Sequence, residues 1–169
     1  MNRRWLLRLL VVLCGVTVPM VGAAEGWADS VYVFASYKPY RLVNQNSGRC
    51  LVTQGQENGN PAFQYGCGNF DDQKWYFSEG SAAIKNWNNA KCLEVADWST
   101  ANGAAVRQWQ CTGGANQDWT PTGSDLSNLK LKNRYSGKCL VVQGLADGAV
   151  GFQYDCGNFT DQYWLVNPA

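Results

Sequence analysis

The sequence has no histidine and only two methionines, and its positive and negative charges nearly cancel. Histidine is the commonest general base and a frequent ligand of catalytic zinc, so its absence excludes most Ser-His and Cys-His catalysts and most zinc enzymes. Carboxylates can also hydrolyse a glycoside, but the acidic residues are scattered over predicted turns and no pair brackets a bond. We therefore predict no catalytic activity, no metal site and no cofactor.

The chain also lacks an apolar run long enough to cross a bilayer. Three arginines precede a short apolar run over residues 9–18, and small residues follow over 21–24, which is the layout of a secretory signal peptide. We assign residues 1–24 to that signal and expect a secreted, extracellular protein with no membrane span. The remainder keeps 14 minus 3, or 11, basic residues against 13 acidic ones. This balance gives no support for nucleic-acid binding.

Three copies of one unit make up the rest of the chain. Each copy contains a Cys-Leu pair, a second cysteine with an aromatic residue two positions before it, and a closing Gln-x-Trp. The closing tryptophans are Trp75, Trp119 and Trp164, which lie 44 and 45 residues apart (119 minus 75, 164 minus 119). A large aromatic residue at the same place in every unit is expected in the core.

The repetition also selects one disulfide pattern. One of the seven cysteines lies in the predicted signal, and the other six, an even number in an exported protein, are expected to form disulfides. Pairing the two cysteines within each copy treats the three copies alike, and it joins cysteines 17, 19 and 17 positions apart. The predicted bonds are Cys50–Cys67, Cys92–Cys111 and Cys139–Cys156.

Short apolar or aromatic stretches, cut by Gly, Asn and Asp turns, are typical of an all-β protein. Each unit of about four strands is too small to bury its own apolar face, so the three units must share one core around a pseudo-threefold axis. A chain of this length suits a single domain. We place an N-terminal segment at 25–38 and the domain at 39–169, with repeats over about 40–80, 81–124 and 128–168.

The three Gln-x-Trp motifs, together with the Cys-Leu-x-Val and aromatic-x-Cys segments, resemble the ricin-type β-trefoil, also called carbohydrate-binding module family 13. The resemblance covers about residues 39–169. It implies a β-trefoil with one disulfide per repeat and a lectin-like function. In glycosidases, a domain of this family is the attached binding part.

The resemblance also implies a sugar site built from an acidic residue, an aromatic platform and polar groups at set positions. The middle unit supplies the complete set, with Glu94 where the family more often has Asp. Asp97 in the next loop either assists Glu94 or substitutes for it. Trp87 and Trp98 either extend the platform or cover the core. The predicted carbohydrate-binding residues are Glu94, Asp97, Arg107, Trp109, Asn116 and Gln117.

The outer units depart from this pattern together, because valines replace the acid and phenylalanines replace the polar group. Two interpretations stay open: the outer units are structural, or they bind sugar differently, with aspartates as the carboxylates. The glutamine of each Gln-x-Trp either ties down a loop or reaches a ligand. The residues of such weaker sites are Tyr65, Asp72, Gln73, Tyr154, Asp161 and Gln162.

The function that these features favour is a secreted, monomeric module that binds sugar units of glycans or polysaccharides. Galactose-type and xylose-type sugars both fit the residues. The alternative is a β-trefoil that binds protein, for instance as an inhibitor, with its loops as a rigid platform. In that case Trp109 and the Asn116-Gln117 pair have no sugar to contact.

Overall fold

The computed structural model describes residues 38–169. The predicted signal peptide (1–24) and almost all of the predicted N-terminal segment (25–38) lie outside the described residues. Within them the chain is all-β, with strands and four single-turn 3-10 segments. None of the described segments forms a helix long and apolar enough to cross a membrane.

Each repeat contributes four strands. The first repeat forms β1 (Tyr40–Asn44), β2 (Cys50–Thr53), β3 (Ala62–Tyr65) and β4 (Trp75–Phe77). The second forms β5 (Ile84–Asn86), β6 (Cys92–Val95), β7 (Val106–Trp109) and β8 (Trp119–Thr122). The third forms β9 (Lys130–Asn133), β10 (Cys139–Val142), β11 (Gly151–Tyr154) and β12 (Trp164–Pro168). The 3-10 segments are Asp71–Gln73, Ala96–Trp98, Ala115–Gln117 and Thr160–Gln162.

The first and last strands of the repeats close into a six-stranded barrel. Antiparallel ladders join β1 to β4, β4 to β5, β8 to β9 and β12 to β1. Single bridges, Ala83–Asp118 and Leu129–Trp164, complete the ring. The inner strands form the hairpins β2–β3, β6–β7 and β10–β11, which bridge one another. This arrangement confirms the predicted β-trefoil.

The core is built from residues that recur in each repeat. Trp75, Trp119 and Trp164 are at most 1% exposed. Each indole N–H donates to the carbonyl of the leucine that follows the first cysteine of its repeat, over 2.9, 2.9 and 3.2 Å. A buried indole N–H needs such a partner, because an unpaired donor in the core carries a desolvation cost. The Gln-x-Trp tryptophan therefore joins the last strand of each repeat to the hairpin of the same repeat.

Three disulfides, one per repeat, join the cysteines in the predicted pairs. In each bond the first cysteine is buried at the start of a hairpin strand, and the two Cα atoms lie 5.1 Å apart. Each bond therefore closes one hairpin locally. Its main effect is to restrict the unfolded chain rather than to connect separate repeats.

Replacing both Cys50 and Cys67 with alanine should lower the free energy of unfolding by about 3 kcal/mol, because a loop of this size regains its freedom in the unfolded chain. Urea unfolding followed by circular dichroism measures the loss. The matched change at Cys139 and Cys156, which also lie 17 residues apart, should cost a similar amount. Unchanged stability in both variants would contradict the proposed entropic role.

Buried glutamines in the second strand of each hairpin join neighbouring repeats. Gln64, Gln108 and Gln153 are 0% exposed. The amide nitrogen of each donates to two backbone carbonyls of another repeat, over 2.9 to 3.1 Å. Because all three glutamines make the same pair of bonds, the accepting residues are structurally equivalent positions in the three repeats.

Candidate functional site

The structure brings the six predicted residues of the middle repeat together. The antiparallel pairing of β6 and β7 places Glu94 directly opposite Arg107. Arg107 and Trp109 are two residues apart on one strand, so their side chains lie on the same face. The 3-10 turn at Ala115–Gln117 carries the two amide residues to this face, where Gln117 donates to the Glu94 carboxylate over 2.8 Å.

Arg107 lies at the centre of this cluster. Its Nε donates to Glu94 Oε1 and its Nη2 to Asp97 Oδ1, each over 3.0 Å. The guanidinium carbon also lies 4.3 Å from the centroid of the Trp109 ring. Arg107 therefore occupies the space between the Glu94 carboxylate and a face of Trp109, where a sugar would have to lie to contact both groups.

The two carboxylates differ in access. The Glu94 side chain is only 6% exposed, and its burial is compatible with its charge because Arg107 and Gln117 both donate to it. The Asp97 side chain is 83% exposed and is the accessible acceptor. Two carboxylates and one guanidinium give the cluster a formal net charge of −1. Its chemistry therefore favours ligands that donate hydrogen bonds over anionic ligands.

Asn116 has one hydrogen-bonding atom without a partner. The residue is 2% exposed, and its amide nitrogen donates to the Val95 carbonyl over 3.1 Å. Its Oδ1 is buried and accepts no hydrogen bond from the described residues. Such an atom costs about 1–3 kcal/mol and calls for an explanation, since most buried polar groups are paired. Asp72 and Asp161, at the equivalent positions of the outer repeats, each also have one buried oxygen that accepts no hydrogen bond from the described residues.

The glutamines of the closing motifs tie down loops. Gln73 accepts from the Gly68 N–H over 2.7 Å and donates to the Gly66 carbonyl over 2.9 Å. Gln162 makes the equivalent pair of bonds in the third repeat. Both are at most 3% exposed, which favours the structural interpretation over contact with a ligand. Gln117, the glutamine of the middle repeat, also donates a hydrogen bond to Glu94.

The outer repeats have an apolar contact where the middle repeat has its ion pair. In the same register, Val52 lies opposite Phe63 and Val141 lies opposite Phe152. Both valines are 1% exposed. The predicted platforms, Tyr65 and Tyr154, remain half exposed, at 49% and 46%.

Two exposed phenylalanines in the outer repeats had no predicted role. Phe70 and Phe159 are 65% and 64% exposed, and their rings lie over Gly68 and Gly157. A β-carbon on either glycine would come within 2.5 or 2.6 Å of the ring, so glycine lets each ring pack in this position. The shared Cys-Gly-Asn-Phe sequence is the signal from which this pair could have been found.

Comparison with known proteins agrees with the β-trefoil fold. The model of the family "Ricin-type beta-trefoil lectin domain-like" matches residues 71–154. The chain belongs to this lectin-like family. Among solved structures, it is similar to the designed threefold-symmetric protein ThreeFoil, with 30% identity and a TM-score of 0.73 over 78% of this chain and 99% of that one.

Two natural proteins of solved structure to which the chain is similar are longer than it. An exo-beta-1,3-galactanase from Clostridium thermocellum has 27% identity and a TM-score of 0.75, over 81% of this chain and 31% of that one. The agglutinin from Abrus precatorius has 20% identity and a TM-score of 0.66, over 82% of this chain and 51% of that one. The agglutinin likeness, at that identity, shows the fold alone.

Proposed function

We propose that this protein is a secreted carbohydrate-binding module that holds a sugar unit at its middle repeat and catalyses no reaction. The observation that carries the proposal is the convergence of an accessible carboxylate, a guanidinium and the Trp109 ring, in the repeat that also contains the unpartnered Oδ1 of Asn116. Three disulfides support export, since such bonds persist in oxidising compartments.

A sugar site needs an apolar surface for the C–H face of the ring and a few fixed polar groups for its hydroxyls. Asp97 supplies an exposed acceptor that Arg107 holds in place. One shallow site of this kind should bind a sugar in the millimolar to high-micromolar range, or about 4–6 kcal/mol. Galactose-type sugars are the first candidates, because a similar structure is that of an exo-beta-1,3-galactanase, and xylose-type sugars are the second.

Replacing Asp97 with alanine should weaken sugar binding about 10-fold or more, because a charged acceptor contributes about 1.5–3 kcal/mol to a hydrogen bond. A glycan array with the oxidised wild-type protein identifies the ligand, and titration with that ligand measures the variant. Asp125→Ala is the matched control, because Asp125 is exposed and lies in the loop between β8 and β9. It should bind as the wild type does.

Other outcomes would redirect the proposal. Full binding by the Asp97 variant would move the site to the outer repeats, where a double Tyr65→Ala/Tyr154→Ala variant should then abolish it. A wild-type protein that binds no glycan on the array would contradict the carbohydrate function and favour the protein-binding alternative.

A further inference from the structure

The middle repeat contains two residues that the outer repeats lack. In the outer repeats, the first carbonyl that accepts from a buried glutamine belongs to Gly55 and Gly144, five residues after the first cysteine (55 minus 50, 144 minus 139). In the middle repeat it belongs to Ser99, seven residues after the cysteine (99 minus 92). The strand ladder keeps its register through Val95. The two extra residues therefore lie within Ala96–Trp98.

The backbone of this insertion is strained. Asp97 and Trp98 have φ angles of 54° and 55°, in the left-handed region that favours glycine. The outer loops use glycine when they enter this region, at Gly55 and Gly144. A residue with a side chain there costs on the order of 1–3 kcal/mol, and such strain is concentrated at ligand sites. Two consecutive strained residues indicate that the insertion serves to position the Asp97 and Trp98 side chains rather than to form a turn.

The insertion presents one carboxylate and one aromatic ring in fixed positions. Arg107 holds the exposed carboxylate of Asp97 over 3.0 Å. Trp98 is 49% exposed, and its ring packs edge-to-face against Tyr135 with the centroids 5.0 Å apart. The ring also presses on Gly114, where a β-carbon would come within 2.8 Å of it. The indole is therefore held in one orientation while about half of its surface stays open.

The Trp98 ring also lies beside the unpartnered acceptor. A β-carbon on Gly114 would come within 2.8 Å of both the Trp98 ring and Asn116 Oδ1. The ring and the oxygen therefore lie around the same point, next to Gly114. Trp109, in contrast, has Arg107 stacked over a face of its ring. Trp98, which is 49% exposed, therefore offers a more open aromatic surface beside the polar cluster than the half-buried Trp109.

We propose that Trp98 is the aromatic platform on which the sugar stacks in the middle repeat, in place of Trp109. The adjacent Asp97 carboxylate accepts a hydrogen bond from a ring hydroxyl. This inference rests on the proposed carbohydrate-binding function. Because the cluster carries a formal net charge of −1, the sugar is neutral rather than a uronic or sialic acid.

Titration with galactose, and separately with xylose, tests this assignment. Trp98→Ala should lower the affinity at least ~10-fold, or ~1.4 kcal/mol. The matched control is Trp87→Ala, since Trp87 is 40% exposed and packs edge-to-face on Tyr76; its affinity should stay within ~2-fold of the wild type. In the wild-type protein, the indole N–H resonance of Trp98 should shift during the titration and that of Trp87 should not.

A second variant keeps the test independent of the Trp98 substitution. Deleting Asp97 and Trp98 with a Ser99→Gly change gives the middle loop the length of the outer loops, which the same fold already accommodates. This variant should fold and bind neither sugar. Binding by the deletion variant, or a Trp98 indole resonance that stays fixed at saturation, would overturn the proposal.

Comparison with Trp109→Ala separates the two hypotheses. Loss of binding in that variant, with binding retained by Trp98→Ala, would overturn the role of Trp98 and leave the carbohydrate function intact. A wild-type protein that binds neither these sugars nor any glycan on the array would overturn both.

Discussion

Replacing Trp119 with alanine should lower the free energy of unfolding by about 3–5 kcal/mol, the usual cost of truncating a buried tryptophan. Trp119 is 1% exposed and belongs to the core shared by the three repeats. The change also removes the donor to the Leu93 carbonyl, 2.9 Å away, and leaves that buried acceptor unpaired. Guanidinium unfolding followed by near-ultraviolet circular dichroism measures the loss.

Trp87→Ala is again the control, because Trp87 is the same residue type in the same repeat but is 40% exposed. It loses one edge-to-face contact with Tyr76 and should cost about 1 kcal/mol or less. Equal losses in the two variants would contradict the assignment of Trp119 to the shared core.

Arg107→Phe should lower the free energy of unfolding by about 3 kcal/mol, because it leaves the buried Glu94 carboxylate without its cation. The Glu94 side chain is 6% exposed and that of Arg107 is 19% exposed, so solvent screens the pair only weakly. Gln117 still donates to Glu94 and limits the loss. Chemical unfolding of the single variant measures it.

The double variant Glu94→Val/Arg107→Phe should recover most of that loss and stay within about 1 kcal/mol of the wild type, since apolar residues of suitable shape replace a buried ion pair without penalty. The outer repeats already have a valine opposite a phenylalanine in the same register. In the first repeat Val52 pairs with Phe63, and the third repeat has the equivalent pair. A double variant as unstable as Arg107→Phe would contradict this equivalence of the repeats.

The fold could be predicted from the sequence because its determinants recur at fixed spacings. Trp75, Trp119 and Trp164 mark the three repeats, and pairing the cysteines within each repeat gives the disulfides. Each of these repeated residues makes its contact within its own repeat. The tryptophan donates to a leucine carbonyl, and the two cysteines form the disulfide of one hairpin. The hydrogen bonds that the buried glutamines make between repeats were not predicted, because the residue spacing within one repeat does not reveal a contact with another repeat.

The residues of the middle site could be predicted, but not their arrangement. That Arg107 lies between Glu94 and Trp109 depends on the register of β6 against β7 and on side-chain conformation. The extra length of the middle repeat was visible in the cysteine spacing, 19 positions against 17. Assigning it to Asp97 and Trp98 required the glutamine bonds and the left-handed backbone.

Binding of the array-selected glycan by Glu94→Val/Arg107→Phe tests most directly whether the middle repeat is the carbohydrate site. The change gives this repeat the apolar pair of the outer repeats and also releases Asp97 from Arg107. We predict a folded protein with nearly wild-type stability that binds the glycan at least ~10-fold more weakly, or ~1.4 kcal/mol, because Asp97 is no longer held in place. A double variant that is folded and binds with unchanged affinity would contradict the assignment of sugar binding to the middle repeat.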